Sequence, residues 1–566
     1  MGAPSATAAT PTTGESAVEP WLARLQRCPA WLLLAAVILL AALPGILALP
    51  PVDRDEARFA QASKQMLESG DYVGIWFQDE PRNKKPIGVY WLQVASVWLF
   101  SAPEAKEIWA YRLPSLVASW IACLLTFGFG RRLLGPRVAL LGSLILAGAM
   151  GLGIETILAK TDACLLAAMV AAQGALGVIW LEARQGRAAG WRWPLLFWAA
   201  EGVAILVKGP IGPLIAGLTI LGLGLVERRW RWLAALRPLA GLPLLLLIVL
   251  PWVLIVTLGR DSNFLVEAAQ HDFLAKLVGS EESHGLPPGF YFVSHLMFFW
   301  PGALFSIPAV LAAWQLRRQA PALLFCLAWL LPAWLVLEAI PTKLPNYILP
   351  LYPPLALLVA WAALTASPWL ERRFVRLQRP LFLGGILVYA AGFLYGPFAL
   401  GEGFAWQAIP AALLTAAGVG GAVWLASRGQ AVRALIHGAL CSALWLAWTF
   451  GAYAPALQRF WPAPGLVAAW ERLAGPEAPP LGSSGYREPS LVFLAGTGTR
   501  LLLPEDLADY LATTPGAVVL VTHRTEAAFL AAATARGLVP RALESHAGFN
   551  YSVGWRLTFT FYARDP

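Results

Sequence analysis

The residues most able to do chemistry stand in short polar stretches between apolar blocks. The first stretch reads Asp53-Arg54-Asp55-Glu56-Ala57-Arg58-Phe59, followed by Lys84-Lys85-Pro86. Positions i and i+3 share a helix face, so Asp55 and Arg58 can present a carboxylate and a guanidinium to one site, with Glu56 beside them. A solvated interfacial helix with self-paired charges fits the same residues. The second stretch, Lys160-Thr161-Asp162, puts Asp162 at the mouth of an apolar block. A carboxylate there is costly and points to function, while an N-cap role for Asp162 or Thr161 fits as well. The third is Lys208-Gly209-Pro210. Lys208 either snorkels outward or binds an anion, and Glu201, two turns earlier on the same face, is its expected structural partner. The fourth, Gly259–Gly289, carries His271, Asp272, Glu281, Glu282 and His284. These types can hold a divalent metal, but their spacing matches no standard signature. The fifth reads Lys343-Leu344-Pro345-Asn346-Tyr347, where anchor and aromatic-belt roles fit Lys343 and Tyr347. Arg58, Lys85, Lys208 and Lys343 together also suit an anionic ligand, such as a phosphate at a membrane surface.

The elements that must position these residues are membrane helices. Of 566 residues, 58% are hydrophobic and 13% charged, far from the roughly 25% charge of an ordinary soluble domain. Soluble and disordered classes are excluded. The net charge of +9 does not imply a nucleic-acid partner, because the basic residues form short runs between apolar blocks, the pattern of cytoplasmic loops. The five cysteines show no paired spacing and read as small core residues.

Residues 1–28 read as a disordered cytoplasmic N-terminus. Apolar blocks follow from Trp31–Leu49 to Ala434–Phe450. Placing the arginine-rich loops on one side makes about thirteen of them cross. The short block Ile87–Phe100, bracketed by Pro86 and Pro103, then cannot cross. It is expected as an interfacial helix inside a single outer-face loop, residues 50–112. The long polar remainder, residues 455–566, is expected to be a small α/β domain on the outer face. Leu491–Leu494 and Ala517–Val521 read as strands, Leu507–Leu511 and Glu526–Ala535 as helices.

The run Asp55-Glu56-Ala57-Arg58-Phe59-Ala60, then Met66-Leu67-Glu68-Ser69-Gly70-Asp71-Tyr72, Lys85-Pro86 and Tyr90-Trp91, resembles the first periplasmic loop of bacterial polyprenyl-phosphate-sugar glycosyltransferases. These have the protein O-mannosyltransferase (GT-C) fold and include the lipid A 4-amino-4-deoxy-L-arabinose transferases. Thr161-Asp162, Leu206-Val207-Lys208-Gly209-Pro210 and Lys343 to Pro350 match later landmarks in order, to about residue 365. The implied architecture is an all-α polytopic GT-C membrane domain, residues 29–454, with a small periplasmic α/β domain, residues 455–566, in a bacterial inner membrane. The arabinose transferases commonly carry an acidic residue where Lys84 stands here. In some members that acid and a later histidine hold a metal, so binding through His271 is in doubt, and no cofactor or metal is assigned.

The resemblance implies transfer of a sugar from a polyprenyl-phosphate carrier to a periplasmic acceptor, lipid A or another lipopolysaccharide glycan. Cations should stabilise the departing lipid phosphate. Lys85 and Arg58 are the first choices, with Lys208, Lys343 and Tyr347 as further ligands of phosphate and sugar, and Glu56 beside them. Asp55 would act as general base or orient the acceptor. Asp162 would support Arg58 or Lys85, or bind the sugar. A protein O-mannosyltransferase-type acceptor is the alternative within this class. A transporter or flippase of lipid-linked sugars is the alternative outside it, favoured by the short pair Leu195–Val207 and Ile211–Val226. A non-catalytic scaffold would leave the first-loop motifs without a role.

Overall fold

The structure, a computed structural model, describes residues 28–82, 84–102, 106–259, 285–365 and 372–564. The expected N-terminal segment, apart from Cys28, and the His271 region lie outside these residues.

The chain opens with the apolar helix α1 (Ala30–Ala48) and an extramembrane helix, α2 (Asp55–Ser69). A two-stranded hairpin, β1 (Trp76–Phe77) and β2 (Glu80–Pro81), comes next, then α3 (Gly88–Phe100). At 13 residues, α3 rises only about 20 Å, too short to span. It buries Val89 and Tyr90 against Phe59 and Met66 of α2, and leaves Trp98, Leu99 and Phe100 exposed. The bundle continues with α4 (Ile108–Leu133), α5 (Pro136–Ala147), α6 (Met150–Thr156), α7 (Asp162–Arg184), α8 (Arg192–Lys208), α9 (Ile211–Glu227) and α10 (Pro238–Gly259). After the undescribed segment come α11 (Phe290–Phe298), α12 (Ala303–Leu316), α13 (Pro321–Ala339), a 3-10 turn (Pro345–Leu351), α14 (Tyr352–Leu364), α15 (Arg372–Leu400), α16 (Ala408–Ser427) and α17 (Ala431–Trp448).

Among the described residues nine helices are long and apolar enough to cross a membrane, or up to eleven if two bent pairs each count as one. The two 17-residue helices α8 and α9 stand at the lower limit of a span, so every block expected to cross corresponds to a helix or a bent pair. Tyr347–Leu364 opens as the 3-10 turn before α14, and two other blocks bend sharply instead of forming the single helices expected. Val138–Gly153 breaks between α5 and α6 by 59°. Gly148 sits at that break, where a Cβ would lie 2.6 Å from the Ala439 Cβ. Phe290–Leu311 breaks by 119° between α11 and α12, at Trp300-Pro301-Gly302, because proline cannot continue the hydrogen-bond ladder. Buried side chains such as Trp180, Phe299, Phe305, Phe325 and Leu358 fill the bundle centre. Outward leucines, among them Leu239, Leu258, Leu387 and Leu413, are largely exposed, as on a lipid-facing surface.

The C-terminal domain comprises α18 (Pro462–Ala474), β3 (Gly482–Ser484), α19 (Pro489–Ala495), β4 (Arg500–Leu501), α20 (Pro504–Thr513), β5 (Val518–Thr522), α21 (Glu526–Ala535), β6 (Pro540–Asn550) and β7 (Trp555–Arg564). Its sheet has the order β4-β3-β5-β7-β6, with β3 parallel to β4 and β5, and β7 antiparallel to β5 and β6. Alternate residues of β5 face opposite ways. Val518 and Leu520 pack with Trp470, Leu491 and Phe561, while Val519 and Val521 pack with Leu507 and Phe529. The sheet is therefore covered on both faces. The expected strand at Leu491–Leu494 is a helix instead. Pro489 at its first turn and Gly496 at its C-cap (φ 118) punctuate a helix, and the apolar run buries all round.

Candidate functional site

The site forms where the ends of α1, α7, α8 and the 3-10 turn meet the first loop. Asp162 is the first residue of α7, where the helix dipole favours a carboxylate. Lys208 is the last residue of α8, where it favours a cation. Gly209, at φ 73, ends α8 and turns the chain into Pro210. The two charges meet: Lys208 Nζ donates to Asp162 Oδ1 at 2.5 Å, and Asn346 Nδ2 donates to the same oxygen at 2.9 Å. The Lys208 ammonium lies 5.1 Å from the centre of the Tyr347 ring. The expected Glu201–Lys208 pair is thus replaced by Asp162–Lys208, since α9 folds back at Gly209 and leaves Glu201 buried beside Gly212. Neither Thr161 nor Asp162 makes a side-chain cap.

Lys160 completes the cluster, and sequence reasoning passed over it. Its Nζ donates to Glu155 Oε1 at 3.3 Å and lies 4.0 Å from Asp162 Oδ2. Burial alone would depress this ammonium. The carboxylates of Glu155, Asp162 and Asp55 outweigh burial and hold it above its ordinary range. Lys160 is therefore held as a cation beside Asp162 and Glu155. Spacing gave no signal for it, because the kinked α5–α6 pair is what brings Glu155 round to it.

Asp55 begins α2 and is exposed, with Arg58 half-buried one turn on. Lys85 is half-buried. Its loop is seated by Gly88, where a Cβ would lie 2.7 Å from the Leu206 carbonyl oxygen. That close approach draws the Lys85 loop to the C-terminal end of α8, two residues before Lys208.

Two expected site residues do other work. Glu56 is sealed inside the fold: Arg112 Nε and Nη2 each donate to it at 2.8 Å, the Val52 amide at 2.8 Å and the Ala159 amide at 2.7 Å. Four donors fill the carboxylate, so the expectation that it meets substrate is corrected. Lys343 is also buried. Its ammonium donates to the carbonyls of Leu286 (2.9 Å) and Ile340 (2.6 Å), which turns it from the cluster toward the backbone. Among the described residues no three His, Cys, Asp or Glu side chains gather as a metal set. Lys84, exposed where an acidic ligand would stand, brings no carboxylate oxygen to a metal.

An apolar cavity of about 240 Å³ opens between α11, α15, α16 and α17, lined by Met150, Trp300, Phe382, Leu414 and Trp445. Met150 begins α6, the helix that carries Glu155 near its other end.

A polytopic helical bundle with a charged first loop, a carboxylate–lysine cluster at one end and a small α/β domain seated there is the GT-C architecture. Residues 84–255 match the family described as dolichyl-phosphate-mannose-protein mannosyltransferase. The chain is similar to the undecaprenyl phosphate-alpha-4-amino-4-deoxy-L-arabinose arabinosyl transferase of Pseudomonas aeruginosa (strain LESB58), at 34% identity over 315 residues, 54% of this chain and 55% of that one. The enzyme of that name from Edwardsiella ictaluri is 30% identical over 347 residues, 59% of this chain and 60% of that one. The chain thus spans little more than half the length of the curated relatives it matches. The crystal structure of ArnT from Cupriavidus metallidurans bound to undecaprenyl phosphate shares the fold, with a TM-score of 0.69 at 21% identity, over 96% of this chain and 98% of that one.

Proposed function

We propose that this protein is an inverting membrane glycosyltransferase that moves a sugar from a polyprenyl-phosphate carrier to lipid A or a related glycan. One observation carries the reading: at the mouth of α7 the buried Asp162 carboxylate holds Lys208 at 2.5 Å and lies 4.0 Å from Lys160, and the exposed Asp55 carboxylate acts electrostatically on that same Lys160. The names of the similar arabinosyl transferases, and the undecaprenyl phosphate bound in the crystallised relative, support the carrier. The cavity beside α11 offers prenyl carbons an apolar path. In this reading the first loop and the C-terminal domain lie in the periplasm and the N-terminus in the cytoplasm.

In the proposed reaction an acceptor oxygen attacks the anomeric carbon opposite the carrier phosphate. The carbon–oxygen bond to phosphate breaks, and its electron pair leaves on the lipid phosphate. Lys85, Arg58 and Lys208 stabilise that charge where it develops. Asp55 removes the proton of a hydroxyl acceptor, or aligns an acceptor that is already ionised. Asp162 and Asn346 fix Lys208, Tyr347 backs it, and Lys160 orders the two aspartates. With Lys84 in place of an acidic ligand, the cationic roles fall to Lys85, Arg58 and Lys208.

The test compares lipid A mass spectra from cells with and without the gene, complemented by wild type, Asp55→Asn or Lys85→Ala, with native mass spectrometry of the purified proteins. A sugar mass that is lost on deletion and not restored by Asp55→Asn supports the proposal. Unchanged lipid A with a bound polyprenyl-phosphate sugar moves the acceptor to protein or another glycan. Full complementation by both variants ends the catalytic assignment.

A further inference from the structure

We infer that the C-terminal domain is part of the transfer machinery, holding the backbone that carries Asp55, and that Arg54 and Tyr551 are positioning residues; this rests on the reading of Asp55 proposed above. Arg54 precedes Asp55 directly. Its backbone lies at φ 68, ψ −103, a region that non-glycine residues rarely adopt and that persists where surrounding contacts impose it. Those contacts come from the far end of the chain. The Arg54 guanidinium donates to the Ser552 carbonyl. The Asp53 amide donates to the Tyr551 hydroxyl at 2.5 Å, and the Ser490 amide donates to Asp53 Oδ1 at 2.9 Å.

The β6–β7 turn, residues 551–554, which makes the first two of these contacts, is itself braced. Glu488 accepts from Asn550 Nδ2 at 2.8 Å and from Ser552 Oγ at 3.1 Å. The Tyr551 ring stacks on Phe460 (centroids 4.6 Å, planes 10° apart) and meets Trp461 edge-on. The rest of α2 is clamped along its length. Gln61 Nε2 donates to Thr497 Oγ1 (2.7 Å), Thr497 donates to Glu68 (2.7 Å), and Lys64 Nζ donates to the Phe493 carbonyl (3.3 Å). A solvated loop needs no such frame. A reacting carboxylate does, because small displacements of a catalytic group are expensive.

The test uses the full-length protein in nanodiscs, with undecaprenyl-phosphate-linked 4-amino-4-deoxy-L-arabinose as donor, lipid A as acceptor, and Asp55→Asn as the inactive control. Arg54→Gly relaxes the strained backbone and removes the anchor together. It is expected to keep the thermal midpoint while lowering kcat about tenfold or more, with donor KM within about twofold. A structural residue would not split stability from turnover in that way. Arg54→Lys, which keeps a donor, is expected to restore part of kcat. Tyr551→Phe, which removes one hydroxyl, is expected to raise amide hydrogen exchange at residues 52–58 and leave residues 489–495 protected. Wild-type kcat and wild-type exchange at 52–58 in the Arg54→Gly/Tyr551→Phe double variant would overturn the inference. If Asp55→Asn itself turned over normally, the reading of Asp55 would fall instead, and the exchange data would still decide whether the β6–β7 turn fixes this backbone.

Discussion

Arg112 and Glu56 face each other through two hydrogen bonds of 2.8 Å in a fully buried pair. The same guanidinium caps the end of α1, donating to the carbonyls of Ile46 (3.1 Å), Leu49 (2.7 Å) and Pro50 (2.9 Å). One pair thus ties α1, α2, α4 and the Ala159 turn together directly beneath Asp55. Both partners are saturated, as a buried charge must be.

Breaking that pair leaves an uncompensated buried charge, expected to destabilise by about 3–5 kcal/mol. Glu56→Gln should therefore lower the thermal midpoint and the yield of folded protein. A Glu56→Gln protein of wild-type thermal midpoint but reduced turnover would return Glu56 to the substrate.

The Asp162–Lys208 pair should behave differently, because half-exposed Tyr347 and the open first loop leave its cation within reach of a ligand. Lys208→Ala removes a charge-assisted contact worth about 1.5–3 kcal/mol. Binding of undecaprenyl phosphate, measured by native mass spectrometry titration, should weaken about tenfold to a hundredfold. Asp162→Asn keeps an acceptor for Lys208 but not the charge, so the loss should be smaller. Equal binding by wild type and Lys208→Ala would remove Lys208 from the phosphate site.

What the sequence made legible follows physical range. The spans and the non-crossing helix α3 came from block length and loop charge, which are local. Asp55, Arg58 and Asp162 stood out because charge at a membrane helix mouth is rare. Glu56 was misread because its partner Arg112 lies 56 residues on, and nothing local distinguishes a sealed carboxylate from a reactive one. Lys160 was passed over, and Lys208 was given the wrong partner, since only the fold-back of α8 on α9 and the kink at Gly148 decide those contacts. The strand expected at Leu491–Leu494 failed because an apolar run fits a buried helix or strand equally. The proline and glycine that bracket it were the better signal.

Asp53 supplies a pH dependence. Burial raises its carboxyl from 3.8 to about 7, with Glu488 adding to the rise and the Ser490 hydrogen bond and Arg58 opposing it. Tyr551, whose hydroxyl accepts from the Asp53 amide, and Tyr486 also face it, and burial pushes both hydroxyls up. Between those pH values the folded protein keeps a proton that the unfolded chain has released. Stability of the loop–domain junction should therefore fall as pH rises from about 4 to about 7, then level off. Asp53→Asn, permanently neutral, should flatten this slope in thermal midpoints measured across that range. An identical slope in Asp53→Asn would assign the pH dependence to other groups.

Lys343 and Lys85 should separate by phenotype, though both are lysines next to proline-containing turns. The Lys343 ammonium is spent on the carbonyls of Leu286 and Ile340, so Lys343→Met leaves two acceptors unpaired, at about 1–3 kcal/mol each if they stay buried. Its thermal midpoint should fall while donor KM holds. Lys85 is half-buried in the open first loop, so Lys85→Met should keep the thermal midpoint and lose turnover through weaker stabilisation of the leaving phosphate. The reverse pattern, a stable Lys343→Met protein that no longer binds undecaprenyl phosphate, would mean that the Lys343 ammonium swings from the backbone to the carrier when substrate arrives.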